Sequence, residues 1–239
     1  MKAMIFAAGL GTRFKPWTDH HPKALAMVNR KTLLQRNVEW LKKFNIHEIV
    51  VNVHHFPDQI IEIIQKNKGW GAKISVSDES DNLLETGGGL KKAKWFFDDG
   101  AFVVINADIL TDLDLHSMIR DHQKKNPLAT LAISNRESSR YFLFDEQLQL
   151  KGWRNTRTGE EKIAAPSSTL IQKAFSGIHI IEPRIFNLIK QKGKFSIVDV
   201  YLDLASTEII GGFDHTGSKL VDVGRPESLL EAEKLFRDL

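Results

Sequence analysis

Residues Ala7–Leu25, AAGLGTRFKPWTDHHPKAL, place two glycines, three basic side chains and two prolines directly behind a short apolar run. Gly9 and Gly11 permit positive φ and close main-chain approach. Successive backbone N–H groups in such a loop cradle phosphate oxygens. Arg13 can clamp a phosphate through two parallel hydrogen bonds, and Lys23 adds a point charge. The chemistry these groups suit is the handling of a phosphorylated substrate. A glycine-rich turn carrying surface cations has the same composition. The spacing is not GxxxxGK[ST], and Phe14 stands where the dinucleotide pattern GxGxxG requires glycine.

Carboxylates add a second possibility. Asp108 follows the continuous apolar run AFVVIN (101–106), and Asp222 stands between a short apolar strand and Gly224. Mg2+ takes few carboxylates and completes its shell with phosphate oxygens and water, so this pair could share a metal. Asp108 also suits a cap or turn, and Asp222 any strand exit. Asp112 and Asp114 read as caps of the helix that follows. Three consecutive glycines, Gly87–Gly89, are costly in chain entropy. They fit either a close backbone approach to a ligand or a flexible strand-to-helix turn. The pairs His20–His21 and His54–His55 are neighbours whose side chains point apart on extended chain, so no two-histidine clamp is expected. His179, inside an apolar run, reads as a packed residue.

These groups need a scaffold, and the chain supplies an alternation. Met4–Ala8, Ile46–Val53, Ala72–Ser77, Ala101–Asn106 and Leu128–Ser134 read as strands. Thr32–Phe44, Pro57–Lys66, Gly88–Phe96 and Leu115–Lys124 read as helices. Leu34, Val38 and Leu41 form an apolar stripe on the first helix, Thr32 is placed to cap it, and Pro57 suits the first turn of the second. Strands alternating with helices predict an α/β fold with a mainly parallel sheet covered on both faces. The glycine-rich loop then lies on the carboxyl edge, where such sheets bind ligands. The second half changes character. Tyr141–Trp153 reads as a hairpin, Arg154–Thr169 as polar loop, Ala174–Ile181 as a strand and Pro226–Phe236 as an amphipathic helix. One domain over residues 1–239 is the economical organisation.

Composition narrows the class. Apolar residues make up 42% and charged residues 26% of 239, as in ordinary globular enzymes. A net charge of +3 without a block of like charges argues against a nucleic-acid partner. The absence of cysteine excludes disulfides, thiolate nucleophiles and thiolate zinc sites. No run approaches membrane-spanning length and no signal-peptide pattern opens the chain, so no membrane association and a cytoplasmic location are expected.

GLGTRFKP followed by PKAL resembles the signature loop of the sugar-1-phosphate nucleotidyltransferases, G-x-G-T/S-R-x-x-P and then P-K. Gly9, Gly11, Thr12, Arg13, Pro16, Pro22 and Lys23 match it. LETGGGLKKA (84–93) resembles the base-reading segment of that family, and INADILTD (105–112) its metal-binding strand end. FSGIHII (175–181) resembles the sugar-pocket strand, and VDVGRPESL (221–229) the second metal motif. The five motifs keep the family's order and span nearly the whole chain.

The resemblance implies a Rossmann-like, mainly parallel sheet flanked by helices, of the nucleotide-diphospho-sugar transferase type, with a small β-rich insertion in the second half. It implies no C-terminal β-helix domain. The substrates implied are a nucleoside triphosphate and a sugar 1-phosphate, with Mg2+ held by Asp108 and Asp222. Ala8, Gly9, Leu10, Gly11, Thr12, Arg13, Lys23, Glu85, Thr86, Gly88 and Asn106 are then the nucleotide-binding residues. Arg13, Lys23 and Asp108 are the catalytic ones, and Tyr141, Arg154, Ser176 and Gly177 line the sugar pocket. UTP with an amino-sugar 1-phosphate such as N-acetylmuramate 1-phosphate is the expected pair. GTP with mannose 1-phosphate and a thymidylyl transfer to glucose 1-phosphate are alternatives, and a non-catalytic nucleotide-sugar-binding homologue is a different class. Two departures stand out. Ala107 occupies a position that is usually glycine, and GWRN (152–155) replaces an acidic-lysine-proline element, leaving Arg154 to supply the missing cation. The sequence does not reach the oligomeric state.

Overall fold

Apolar runs become strands buried on both faces, and amphipathic runs become the helices that cover them. The computed structural model describes residues 1–237. The chain begins with β1 (Ala3–Phe6), a small hairpin β2 (Met27–Val28) and β3 (Lys31–Thr32), α1 (Leu33–Lys43), β4 (Glu48–Val53), α2 (Pro57–Lys66) and β5 (Lys73–Asp78). It continues with α3 (Glu85–Lys92), β6 (Phe102–Asn106), β7 (Ile109–Thr111), α4 (Leu115–Lys125) and β8 (Ala129–Ser134). The second half holds β9 (Arg140–Phe144), β10 (Leu150–Asn155), β11 (Glu161–Ile163), β12 (Ile171–Ile181), α5 (Ile185–Leu188), α6 (Ile197–Leu204), β13 (Ile210–Asp214), β14 (Leu220–Asp222) and α7 (Ser228–Leu235). Among the described residues, no helix is long and apolar enough to cross a membrane.

Strands β5, β4, β1 and β6 lie side by side and parallel. The antiparallel β12 follows β6, and β8 and β13 continue beyond it. The expected fold class is thus present: a mainly parallel sheet with helices on both sides. The β-rich second half is not a separate layer, however. The first three residues of β12 pair with β9, which carries β10 and β11, so ten strands share one sheet. One edge of β12 changes partner from β9 at residues 171–173 to β6 at residues 178–181. Gly177, at φ +72°, sits in the fork between them.

Alternate side chains of the parallel strands enter two cores. On one face Ala3, Ile5, Val51 and Ile105 meet Leu34, Val38 and Leu41 of α1. On the other, Met4, Val50 and Val104 meet Leu90 of α3 and Ile197 and Tyr201 of α6. Each fully buried aliphatic side chain contributes roughly 1.5–3 kcal/mol. Thr32 caps α1, its Oγ1 accepting from the Gln35 N–H at 3.0 Å. A third cluster matters most for the site. Phe14, Val28, Leu33, Leu110, Val221 and Phe236 pin the glycine-rich loop to the β7–β14 ribbon.

Three local expectations change. The polar stretch 154–169 is not all loop, because Glu161–Ile163 pairs with Gly152–Arg154 although all three of its side chains are exposed. The third helix starts at Glu85, so the glycine run lies inside it, and its last turn, Ala93–Phe96, is 3₁₀. Asp114 caps α4 by accepting from the His116 N–H at 3.1 Å. Asp112 does not cap it; its carboxylate accepts from the Lys219 N–H at 2.7 Å and ties the ribbon together.

Candidate active site

The loop after β1 leaves the sheet at Ala7, whose N–H donates to Asn52 Oδ1 at 2.8 Å. Gly11 turns the chain at φ +60°, and a Cβ there would lie 2.8 Å from Thr18 Cγ2. Its carbonyl accepts from the Phe14 N–H at 2.7 Å and the Thr18 hydroxyl at 2.9 Å. Gly9 differs. Among the described residues, nothing lies within 4 Å of the position its Cβ would take, and Gly9 is exposed. Phe14 is buried, which anchors the short 3₁₀ turn Thr12–Phe14 and aims the exposed Arg13 outward.

Two carboxylates arrive from distant sequence. Asn37 Nδ2 donates to the Ala107 carbonyl at 2.9 Å and holds the turn that presents Asp108. Strands β7 and β14 pair with Asp222 opposite Ile109, and the Val223 N–H donates to the Asp108 carbonyl at 2.9 Å. Lys23 Nζ lies 2.5 Å from Asp108 Oδ2, with 13% and 25% of the two side chains exposed. A Cβ on Gly224 would lie 3.0 Å from Asp222 Oδ1 and 3.3 Å from an Arg13 guanidinium nitrogen. Glycine at 224 therefore lets the guanidinium lie over the chain beside Asp222. Arg13, Lys23, Asp108 and Asp222 thus meet on one side of the sheet edge.

Asp222 is exposed beside Asp108 and is not among the residues that line the adjacent cleft, yet protein surrounds it on most sides. That desolvation, and next the neighbouring Asp108 carboxylate, raise its pKa, while Lys23, Arg13 and Arg136 act to lower it. Two converging carboxylates that repel each other are a donor set that a divalent cation would relieve. Hard oxygen ligands of this number suit Mg2+, which takes one or two carboxylates and fills its shell from phosphate and water.

The cleft above these groups has a volume of about 290 Å³. Phe6, Ala7, Gly9, Gly11, Thr12, Arg13, Lys23, Thr86, Asn106 and Asp108 line it. Ala8, which is buried, and Leu10, which is exposed, belong to the same loop but are not among the lining residues. Glu85 and Gly88 are not among the cleft residues. Glu85 extends toward Lys194 Nζ at 3.5 Å. The glycines of α3 serve packing: a Cβ on Gly87 would lie 2.5 Å from Phe195, and one on Gly88 would lie 2.4 Å from the Gly193 carbonyl oxygen. The Phe195 carbonyl in turn accepts from the Gly87 and Gly88 N–H groups, at 2.9 and 3.2 Å.

The residues expected around the sugar divide. Gly177 lies against Asn106, with Nδ2 at 2.8 Å from a Cβ built there. Ser176 is buried and its Oγ is 2.7 Å from His215 Nε2. Tyr141 accepts from the Ser138 N–H through its hydroxyl, and Arg154 pairs with Glu161 at 2.5 Å on the outer hairpin. None of these four residues lines the cleft, although Gly177 packs against Asn106, which does. Trp153 packs against the core with Lys162 over its ring. His54 and His55 donate to the carbonyls of Glu79 and Thr18 respectively, and His179 is fully buried against Tyr201. The sequence alone assigns no role to Asn52 or Glu79, and gives Gly224 none beyond marking the turn after Asp222. The signal for Asn52 was available: one amide in the otherwise apolar EIVVNV strand.

A nucleotidyl transferase family model matches residues 2–238. The chain is 28% identical over 240 residues to a mannose-1-phosphate guanyltransferase of Yarrowia lipolytica, covering 99% of this chain and 64% of that one. It is 29% identical over 239 residues to an N-acetylmuramate alpha-1-phosphate uridylyltransferase of Caulobacter vibrioides, covering 97% and 95%. It therefore spans just under two thirds of the first relative's length and nearly all of the second's. The fold matches that of a putative glucose-1-phosphate thymidylyltransferase from Bacillus anthracis, with a TM-score of 0.82 at 19% identity, over 100% of this chain and 96% of that one.

Proposed function

The chain belongs to the nucleotidyl transferase family, and from that premise we propose that it joins a nucleoside triphosphate to a sugar 1-phosphate, giving a nucleotide sugar and pyrophosphate. The observation that carries this reading is the convergence of Arg13, Lys23 and Asp108 on one cleft, with Asp222 close beside them and a loop with open main chain at Gly9. A sugar phosphate is already ionised near neutral pH, so its oxygen attacks the α-phosphorus without a general base. The α–β phosphoanhydride bond breaks and pyrophosphate leaves with the electron pair. Bringing two polyanions together and stabilising the developing charge is the whole task, and it is met by positioning and electrostatics.

Arg13, exposed on its turn, holds the leaving pyrophosphate. Lys23 balances the α-phosphate and the attacking oxygen, and its pairing with Asp108 fixes where its ammonium stands. Asp108 and Asp222 would hold Mg2+, which when bound supplies positive charge at the α-phosphate. Asn106 walls the sugar side of the cleft with Gly177 packed behind it, whereas Arg154, committed to Glu161, leaves the sugar to groups nearer the fork.

UTP with N-acetylmuramate 1-phosphate is the substrate pair we propose. Its support is the alignment with the Caulobacter vibrioides relative along nearly the full length of both chains. Pyrophosphate release measured over a matrix of triphosphates and sugar 1-phosphates, with Mg2+, tests it. A higher kcat/KM for GTP with mannose 1-phosphate replaces the uridylyl reading with the guanylyl one. No release from any pair overturns the reaction and leaves a nucleotide-sugar-binding protein.

A further inference from the structure

Behind the cleft wall lies a polar group that the proposed reaction does not use. Glu79, one residue beyond β5, is fully buried. Its Oε1 accepts from Asn52 Nδ2 at 2.7 Å, and its Oε2 has no hydrogen-bond partner among the described residues. Burial pushes its carboxyl pKa up, against the Asn52 and Leu84 donors. Asn52, 2% exposed, has its other amide atom committed as well: Oδ1 accepts from the N–H of Ala7, where the loop leaves β1. An amide side chain can present either oxygen or NH2 to a neighbour. With its NH2 held by Glu79, Asn52 presents its oxygen to the Ala7 N–H. Gly89 closes the arrangement from α3, since a Cβ there would lie 2.6 Å from Glu79 Oε1 and 2.9 Å from Asn52 Nδ2. The third glycine of the run thus makes room for this pair. The loop carrying Gly9 and Arg13 and the helix carrying Thr86 are both packed on it.

We infer that Glu79 is a positioning residue for triphosphate binding: it orients the Asn52 amide, which fixes the main chain at Ala7 and so the loop that receives the phosphates. The inference rests on the proposed use of that loop for a triphosphate. The main chain of Glu79 is anchored independently, by the N–H to the Val53 carbonyl at 2.7 Å and by its carbonyl accepting from Asn82 at 3.0 Å. Side-chain replacements therefore act on the amide network.

The test is equilibrium binding of UTP and of GTP, alongside steady-state pyrophosphate release and thermal midpoints. The proteins are wild type, Glu79→Gln, Glu79→Ala, Asn52→Ala and the double alanine variant. Glu79→Gln keeps an acceptor for Asn52 and is expected to bind within about threefold of wild type. Glu79→Ala and Asn52→Ala are each expected to weaken binding about tenfold and raise the triphosphate KM, with kcat at saturation within about twofold. The double variant is expected to be no weaker than Asn52→Ala, because the two act through one contact. Lowered thermal midpoints with wild-type binding overturn the inference, as do effects that multiply in the double variant. If Glu79→Ala is not recovered folded, Asn52→Ala decides: wild-type binding there overturns it. Because binding is read apart from pyrophosphate release, failure of the reaction in wild type strikes the proposed function alone.

Discussion

Gly88→Ala separates two explanations of the glycine run by the sign of its effect on stability. If glycine served only to admit a ligand, alanine inside α3 would stabilise the helix by about 0.8–1 kcal/mol through its higher helix propensity. The structure demands the opposite. The new Cβ would lie 2.4 Å from the Gly193 carbonyl oxygen and 2.9 Å from Leu84 Cβ, and the first is main chain that cannot rotate away. Overpacking of this kind costs about 1–3 kcal/mol. Taking the upper part of that range for a main-chain clash and subtracting the propensity gain leaves a net loss of about 2 kcal/mol. For a chain of this size that lowers the thermal midpoint by about 4–8 °C. Gly9→Ala is the mirror experiment. Its Cβ meets nothing within 4 Å, so the midpoint stays within about 1 °C while triphosphate binding weakens. Calorimetry or thermal circular dichroism on both variants, with triphosphate titrations, decides. A raised midpoint for Gly88→Ala combined with weakened binding would falsify the packing explanation.

Lys23→Ala is expected to lower turnover at saturating substrate by about 10²–10³ while circular dichroism is unchanged, by analogy with loss of one oxyanion donor; wild-type kcat would remove Lys23 from the reaction. Gly177→Ala forces a side chain into φ +72° and places its Cβ 2.8 Å from Asn106 Nδ2, so a loss of about 2–4 kcal/mol in urea unfolding is expected, and an unchanged midpoint contradicts the fork geometry. Burial lowers the pKa of His179 to about 3, so the unfolded chain takes up this proton first as the pH falls. The stability tied to neutral His179 is complete above about pH 6.5, and about 2 kcal/mol of it is lost by about pH 5. Burial lowers the pKa of His122 and His215 too, which adds to the acid loss in wild type and variant alike. Urea titrations at both ends of that range should show a smaller acid loss in His179→Gln, and equal losses refute the assignment.

What the sequence determined by itself is the local periodicity and the inventory of charge. The helix Pro57–Lys66 ends where its pattern and its N-terminal proline place it, and the Leu34–Val38–Leu41 stripe faces the core as its spacing requires. Both follow from interactions a few residues long. Arg13, Lys23, Asp108 and Asp222 were legible as chemistry-bearing types, because a cation, a carboxylate and a glycine turn announce themselves without a partner. Where they stand relative to one another was decided elsewhere. The β7–β14 register sets Asp222 opposite Ile109, and a single main-chain hydrogen bond from Val223 to Asp108 brings the two carboxylates together. The Glu161–Ile163 strand has three exposed side chains and no apolar period, so only its pairing with β10 makes it a strand. The glycine run is the sharpest case. Its composition was plain, but its reason lies in Phe195, Gly193 and the Asn52–Glu79 pair, which reach it from other parts of the chain. Steric exclusion and sheet register act between atoms far apart in sequence, and only the packed chain brings those atoms within contact distance.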